Sequence, residues 1–120
     1  MIKRGIGTDI FEIDRMESII DDDQKKMEKI FTSNELSYCL SKLKPSQHLA
    51  ARFAGKEAVI KAINAILEHK LNLNQIEILN DKNGVPFVKI HDEKFLNLMI
   101  SISLSHTEKI ATAMVFVEVN

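Results

Sequence analysis

Tryptophan is absent and cysteine occurs once, at Cys39. A single thiol excludes an internal disulfide and a thiolate zinc cage. Two prolines and four glycines are too few for a flexible linker, and no repeat or low-complexity tract interrupts the 120 residues. No apolar run approaches the roughly 18 residues that a membrane-spanning helix needs. The opening "MIKRGIGTDI" lacks the continuous apolar segment of a secretory signal. Sixteen basic and seventeen acidic residues leave a formal net charge of −1, so no global basic field points to nucleic acid. Any anion site must therefore be a local cluster. The expected setting is a reducing cytoplasm, with neither a membrane nor a nucleic acid as partner.

What is present suits one globular domain, residues 1–120, with a modest core. Apolar residues make up 45% and charged residues 28% of the chain. Residues 2–11 read as a strand with Gly5, Gly7 and Asp9 on one face and Ile2, Ile6 and Ile10 on the other. Asp14 then reads as a helix N-cap with Glu17 as its capping-box partner, and Met16, Ile19 and Ile20 form the buried side. "DDDQKKMEK" (21–29) orders acids before bases, as a second helix dipole favours. Thr32 and Glu35 repeat the capping-box pattern, and Leu36, Leu40 and Leu43 follow at helical spacing until Pro45. A long helix is expected from about 46 to about 69.

Downstream, 75–79 reads as a strand, "DKNGVP" (81–86) as a turn with Asn83-Gly84 supplying positive φ, and 87–90 as the hairpin partner. Residues 92–99 allow a short helix and 100–104 alternate as a strand. Residues 110–119 are apolar on both faces for most of their length, the pattern of a central strand. The sum predicts an α+β fold: an antiparallel sheet packed against one long helix and several short ones.

The long helix carries an anomaly in "ARFAGKEAVIKA" (51–62). Leu49, Phe53, Ile60, Ile63 and Leu67 form an apolar stripe, yet Lys56 falls inside it. Glu57 lies on the flank and Lys61 stacks one turn beyond. The plain explanation is an i,i+4 ion pair with a snorkelling lysine. Such a pair stabilises a helix by about 0.2–0.5 kcal/mol, whereas desolvating one ion costs about several kcal/mol. A cation for Glu57 and a polyanion for the lysines explain the charges better. Mid-helix Gly55, which costs about 1 kcal/mol relative to alanine, would let something approach the backbone.

Asp9, beside Gly5 and Gly7, would sit on bare surface. The plain alternative is a strand-end aspartate capping a turn. "SLSHT" (103–107) ends a strand in hydroxyls and His106, which taken alone is a hydrogen-bonded loop histidine. Carboxylates without cysteine favour a hard ion such as Mg²⁺, and lysine near Mg²⁺ suits phosphoryl chemistry.

"GIGTDI", "RFAGKEAVIKA" and "SISLSHT", in that order and with "NGVP" between the last two, resemble the holo-(acyl-carrier-protein) synthases. These are the short, single-domain 4′-phosphopantetheinyl transferases, and the resemblance runs nearly end to end. It implies transfer of 4′-phosphopantetheine from coenzyme A to a serine of apo acyl carrier protein, in support of fatty acid biosynthesis, with release of adenosine 3′,5′-bisphosphate. By likeness Asp9 and Glu57 would hold Mg²⁺, Lys61 would meet the pyrophosphate, and Glu57 would be the candidate base. His106 would lie near the phosphates, Arg52 would contact coenzyme A, and Arg15 would meet the acidic carrier protein. A homotrimer with sites between subunits is implied too, with Lys56 and Glu57 facing the cleft.

The sequence departs from the family's pattern in places: "NGVP" has Val85 where a lysine is frequent, and "DDD" (21–23) is acidic close to where an acidic partner should dock. A glycine-rich turn usually follows the helix, whereas Asn64, Ala65 and Ile66 stand here, so the helix is expected to run on. Two other classes remain open: a non-catalytic carrier-protein or nucleotide-binding module, and a small Mg²⁺-dependent phosphohydrolase.

Overall fold

A computed structural model describes residues 1–22 and 24–120. In chain order the elements are β1 (Lys3–Glu12), α1 (Ile13–Asp22), α2 (Gln24–Ile30), α3 (Ser33–Leu40) and α4 (Pro45–Asn64). They are followed by β2 (Ile76–Asn80), β3 (Pro86–Ile90), β4 (Met99–His106) and β5 (Ile110–Val119). Short 3-10 turns at Leu73–Gln75 and Glu93–Phe95 complete the set, the second replacing the helix expected over 92–99. The class is α+β, as the patterning predicts.

Two antiparallel sheets form: β1-β5-β4, and the hairpin β2-β3. The doubly apolar strand β5 is central, pairing Gly7 with Val115 on one side and Ile102 with Val115 on the other. Its inward residues Ala111, Ala113, Val115 and Val117 are buried beneath α4. The hairpin turn takes Gly84 to φ 81° with Asn83 in an ordinary conformation, so one residue supplies the positive φ. Asp81 Oδ1 accepts from the Asn83 and Val85 amides at 2.8 and 3.0 Å, which closes the turn.

The glycines of β1 have a packing cause. Ala50, Ala54, Ala58 and Ala62 recur every fourth residue of α4 and are fully buried. A Cβ on Gly7 would lie 1.9 Å from the Ala58 carbonyl oxygen, and one on Gly5 would lie 2.0 Å from that of Ala62. Strand and helix thus meet backbone to backbone, and the surface there is covered rather than bare. Gly55 is likewise filled from within, since a Cβ would meet Ile78 Cδ1 at 2.5 Å.

Lys56 is a further correction. It has no exposed surface and donates to Glu35 Oε1 at 2.6 Å, to the Leu73 carbonyl at 2.9 Å and to the Ile76 carbonyl. Within the protomer it is a satisfied core ion rather than a cleft residue. Glu35 also accepts from the Thr32 amide at 2.9 Å, so the expected capping box is present.

Several boundaries move. Ile13 opens α1 by donating its amide to Lys109 O at 2.9 Å, which leaves Asp14 inside the first turn. Glu17 instead accepts from the Ser46 hydroxyl at 3.2 Å. Helix α3 stops at Leu40, so Leu43 lies in the following turn and is 97% exposed. Pro45 begins α4, where its missing amide is harmless. Helix α4 ends at Asn64, not near 69, with the Ile66 and Leu67 amides both bonded to Ile63 O. Asp23, last of the acidic run, lies outside the described residues.

Among the described residues no helix covers the outer face of the larger sheet. Ile6 and Ile10 of β1, Met114 of β5 and Met99 of β4 are each 59–73% exposed. Among the described residues no helix is long and apolar enough to cross a membrane.

Candidate active site

Strand β1 and helix α4 bring three of the expected residues together. Lys61 Nζ lies 3.2 Å from Asp9 Oδ1 and donates to Thr8 O at 3.0 Å. Lys61 stands in the last turn of α4, where the helix dipole favours a cation. Glu57, one turn earlier, is half-buried. Burial raises the pKa of its carboxyl above the usual value, the charge of Asp9 raises it further, and Lys61 partly opposes both. Asp9 is therefore close enough for its charge to act on the Glu57 carboxyl.

The opening beside them is lined by Asp9, Lys61 and the hydroxyls of Thr8, Ser103, Ser105 and Thr112. Sequence reasoning missed Thr8 and Thr112. The period-two alternation that put Asp9 inward also put Thr8 outward, and that was the available signal. Glu35 was read only as a cap, because its pairing with Lys56 spans 21 residues and has no local signature.

The other candidates lie elsewhere. His106 ends β4, exposed, with Nδ1 3.1 Å from Thr107 O. It faces the same side as Asp9, but β5 separates the strands: Asp9 pairs with Ala113, and Ala113 with Leu104, two residues before His106. Two strand spacings and two residue rises put the pair on the order of 12 Å apart within one subunit. Arg52 is 3% exposed, and its donors are engaged by the Ile78 and His48 carbonyls and Asn80 Oδ1, each at 3.3 Å. Arg15 is exposed on α1, its guanidinium 4.9 Å from the Phe11 ring centre.

The residues fit a hard divalent ion of the Mg²⁺ type. Such an ion is commonly held by one or two carboxylates, with waters and substrate phosphates filling the remaining positions. Among the described residues, no group of three or more histidine, cysteine or acidic side chains could form a full protein cage. The Asp9–Glu57 pair is a half-shell, and its like-charge strain is of the kind a cation relieves.

A profile of the 4′-phosphopantetheinyl transferase superfamily matches residues 5–115. A holo-(acyl-carrier-protein) synthase of Protochlamydia amoebophila is 42% identical over 113 residues, covering 91% of this chain and 93% of that one. This chain belongs to the holo-(acyl-carrier-protein) synthases. It is accordingly a transferase. The crystal structure of the Bacillus anthracis synthase, in complex with coenzyme A (3′,5′-ADP), is similar with a TM-score of 0.81 and 32% identity. That match covers 97% of this chain and 96% of the other. The Helicobacter pylori synthase in complex with coenzyme A gives a TM-score of 0.80 at 31% identity, over 93% of this chain and 98% of that one. In this synthase the three motif segments that carry the family resemblance are β1, α4 and β4.

Proposed function

We propose that this synthase, acting as one domain over residues 1–120, moves 4′-phosphopantetheine from coenzyme A to a serine hydroxyl of apo acyl carrier protein. The observation that carries the reading is the grouping of Asp9 and Lys61 at one opening, with Glu57 near enough for its carboxyl to be shifted by both. The Bacillus anthracis and Helicobacter pylori relatives, which bind coenzyme A, support it.

Asp9 and Glu57 hold Mg²⁺, which when bound neutralises diphosphate charge. Glu57 is the base that takes the serine proton, directly or through a metal-bound water. The serine oxygen attacks the phosphorus that bears pantetheine, and the P–O bond to the second phosphate breaks. Lys61 stabilises the charge that collects on the departing adenosine 3′,5′-bisphosphate. Its link to Asp9 and to a strand carbonyl fixes it before substrate arrives.

Within one subunit the main chains at His106 and Asp9 stand about 12 Å apart across β5. The uncovered sheet face, with Ile6, Ile10, Met99 and Met114 outward, supports a homotrimer whose subunits pack there. Each site then joins Asp9, Glu57 and Lys61 of one copy to His106 of the next. Arg15 meets the acidic carrier protein from α1. Arg52 serves coenzyme A from behind, as a fixed charge. The activity supports fatty acid biosynthesis in the cytoplasm.

Incubation with apo carrier protein, coenzyme A and Mg²⁺ should add one phosphopantetheine to the carrier by mass, and chelator should abolish the gain. No gain, under conditions where a known synthase works, overturns the reading. Coenzyme A binding without turnover selects a binding module. Adenosine bisphosphate release without carrier selects a phosphohydrolase.

A further inference from the structure

Two aromatic rings stand beside the carboxylates and have no part in the transfer described above. Phe11 follows Asp9 by two residues on β1 and shares its face, about 7 Å along the strand. Phe53 precedes Glu57 by one turn of α4, about 6 Å along the helix. The two ring centres lie 4.6 Å apart, with their planes inclined at 52°. Phe11 is buried in the core and Phe53 packs half-buried against it. The pair borders the site on the side where β1 runs into α1.

Helix α1 begins at Ile13, and its first turn brings Arg15 back over the same ring. The guanidinium carbon stands 4.9 Å from the Phe11 ring centre. Arg15 is the one base of α1, whose other charged residues are Asp14, Glu17, Asp21 and Asp22. Among the described residues it forms an ion pair with none of them. Its charge is thus held against a π face and left for something else to neutralise.

A long exposed arginine loses rotamer freedom when a partner fixes it. A ring that already holds the guanidinium removes part of that loss before the partner arrives. The ring must itself be fixed, and Phe53 and the core fix it. An acidic partner is repelled at every other charged position of α1, so the pose of this one cation sets its register.

We propose that Phe11 is a positioning residue: its ring, backed by Phe53, holds the Arg15 guanidinium so that an acidic partner docks with its acceptor serine beside Glu57. The inference rests on the transferase reading above and adds a side chain that acts through Arg15 rather than on the substrate. The order along the site is Arg15, the ring pair, then Asp9 and Glu57. An acid of the partner bound at Arg15 brings its neighbouring residues across the rings to the carboxylates.

Steady-state kinetics, with carrier protein and coenzyme A varied in turn, tests it. Phe11→Leu keeps an apolar side chain and removes the π face, and Phe11→Ile serves should the leucine variant fold poorly. Either should raise the KM for carrier protein about two- to fivefold, the scale of one exposed cation–π contact. The KM for coenzyme A, and kcat at saturating carrier, should stay as they are. Phe11→Tyr, which keeps the ring, should restore the wild-type value. In an Arg15→Gln background Phe11→Leu should add nothing, since the ring then has no cation to hold. An unchanged carrier KM in a folded variant overturns the proposal. So does a fall in kcat alone, as a merely structural role would give, or the same rise in KM with and without Arg15. In each of those outcomes the transferase reading stands. Absence of transfer by the wild type overturns that reading and this inference with it.

Discussion

Lys56 Nζ and Glu35 Oε1 lie 2.6 Å apart, and neither side chain has any exposed surface. Their environment is completed by the Leu73 and Ile76 carbonyls and the Ile78 amide. Helix α4 is thereby tied to α3 and to the hairpin through one ammonium and one carboxylate. Burial lowers the Lys56 pKa and Glu35 opposes the shift. Removing one partner strands the other charge in the core. Lys56→Met should cost about 3–5 kcal/mol in urea denaturation, and combining it with Glu35→Gln should recover part of the loss. A double variant no better than the single one would show that the ion pair is not what fails.

Glu57→Gln should keep the fold and lose transfer activity by at least about a hundredfold, the scale of lost general base catalysis. The readouts are circular dichroism beside the carrier-protein mass shift. Unchanged turnover would remove Glu57 from the chemistry.

Gly7→Ala should destabilise the protein by about 1–3 kcal/mol or more, as overpacking does. The new Cβ would sit 1.9 Å from a main-chain oxygen. Ala58→Gly should not rescue it, since the obstacle is the Ala58 carbonyl rather than its methyl. Thermal melting of the two variants tests this, and rescue would show that side chains set the helix–strand distance.

Acid should loosen the α3–hairpin junction. Burial pushes the Glu77 pKa up, but hydrogen bonds from Thr32, His91 and Asn34 outweigh it and hold the carboxyl below its ordinary 4.5. A carboxyl depressed in the folded state stabilises the protein above the unfolded pKa. That stability is lost as pH falls through the folded pKa. Wild type should thus weaken below about pH 4.5. Glu77→Gln should start less stable at neutral pH and change less on acidification. Urea midpoints between pH 3 and 7 decide it, and parallel curves would refute it.

Ile6→Glu on the uncovered sheet face should shift the light-scattering mass to that of one protomer and reduce transfer with it. A variant that stays assembled, or a monomer that remains fully active, would contradict shared sites.

Strands and hairpin were legible because their signals are local: period-two alternation in β1 and β4, two-sided apolarity in β5, and Gly84 in the turn. The grouping of Asp9 with Glu57 and Lys61 was legible as well, since these charges make little sense as stabilisers alone. The reading failed where the cause is distant in sequence. Nothing near Lys56 announces Glu35, and nothing near Gly5 or Gly7 announces the alanine row of α4. Without a glycine or proline stop, the end of α4 at Asn64 had no marker. The spacing of Leu36, Leu40 and Leu43 continued a helix that Pro45 opens anew one turn later. The separation of about 12 Å between the Asp9 and His106 main chains follows from strand order, which no single segment encodes.

The glycine–alanine seam between β1 and α4 bears on precision. Asp9 lies on β1 two residues beyond Gly7, on the same face, while Glu57 and Lys61 each precede one of the alanines, Ala58 and Ala62, whose main chain meets the strand. Peptide planes in contact therefore gauge the distance between the two main chains from which these side chains project. The spacing of strand and helix at Asp9, Glu57 and Lys61 is thus set as soon as the helix docks on the sheet, by main-chain contact rather than by the fit of large side chains.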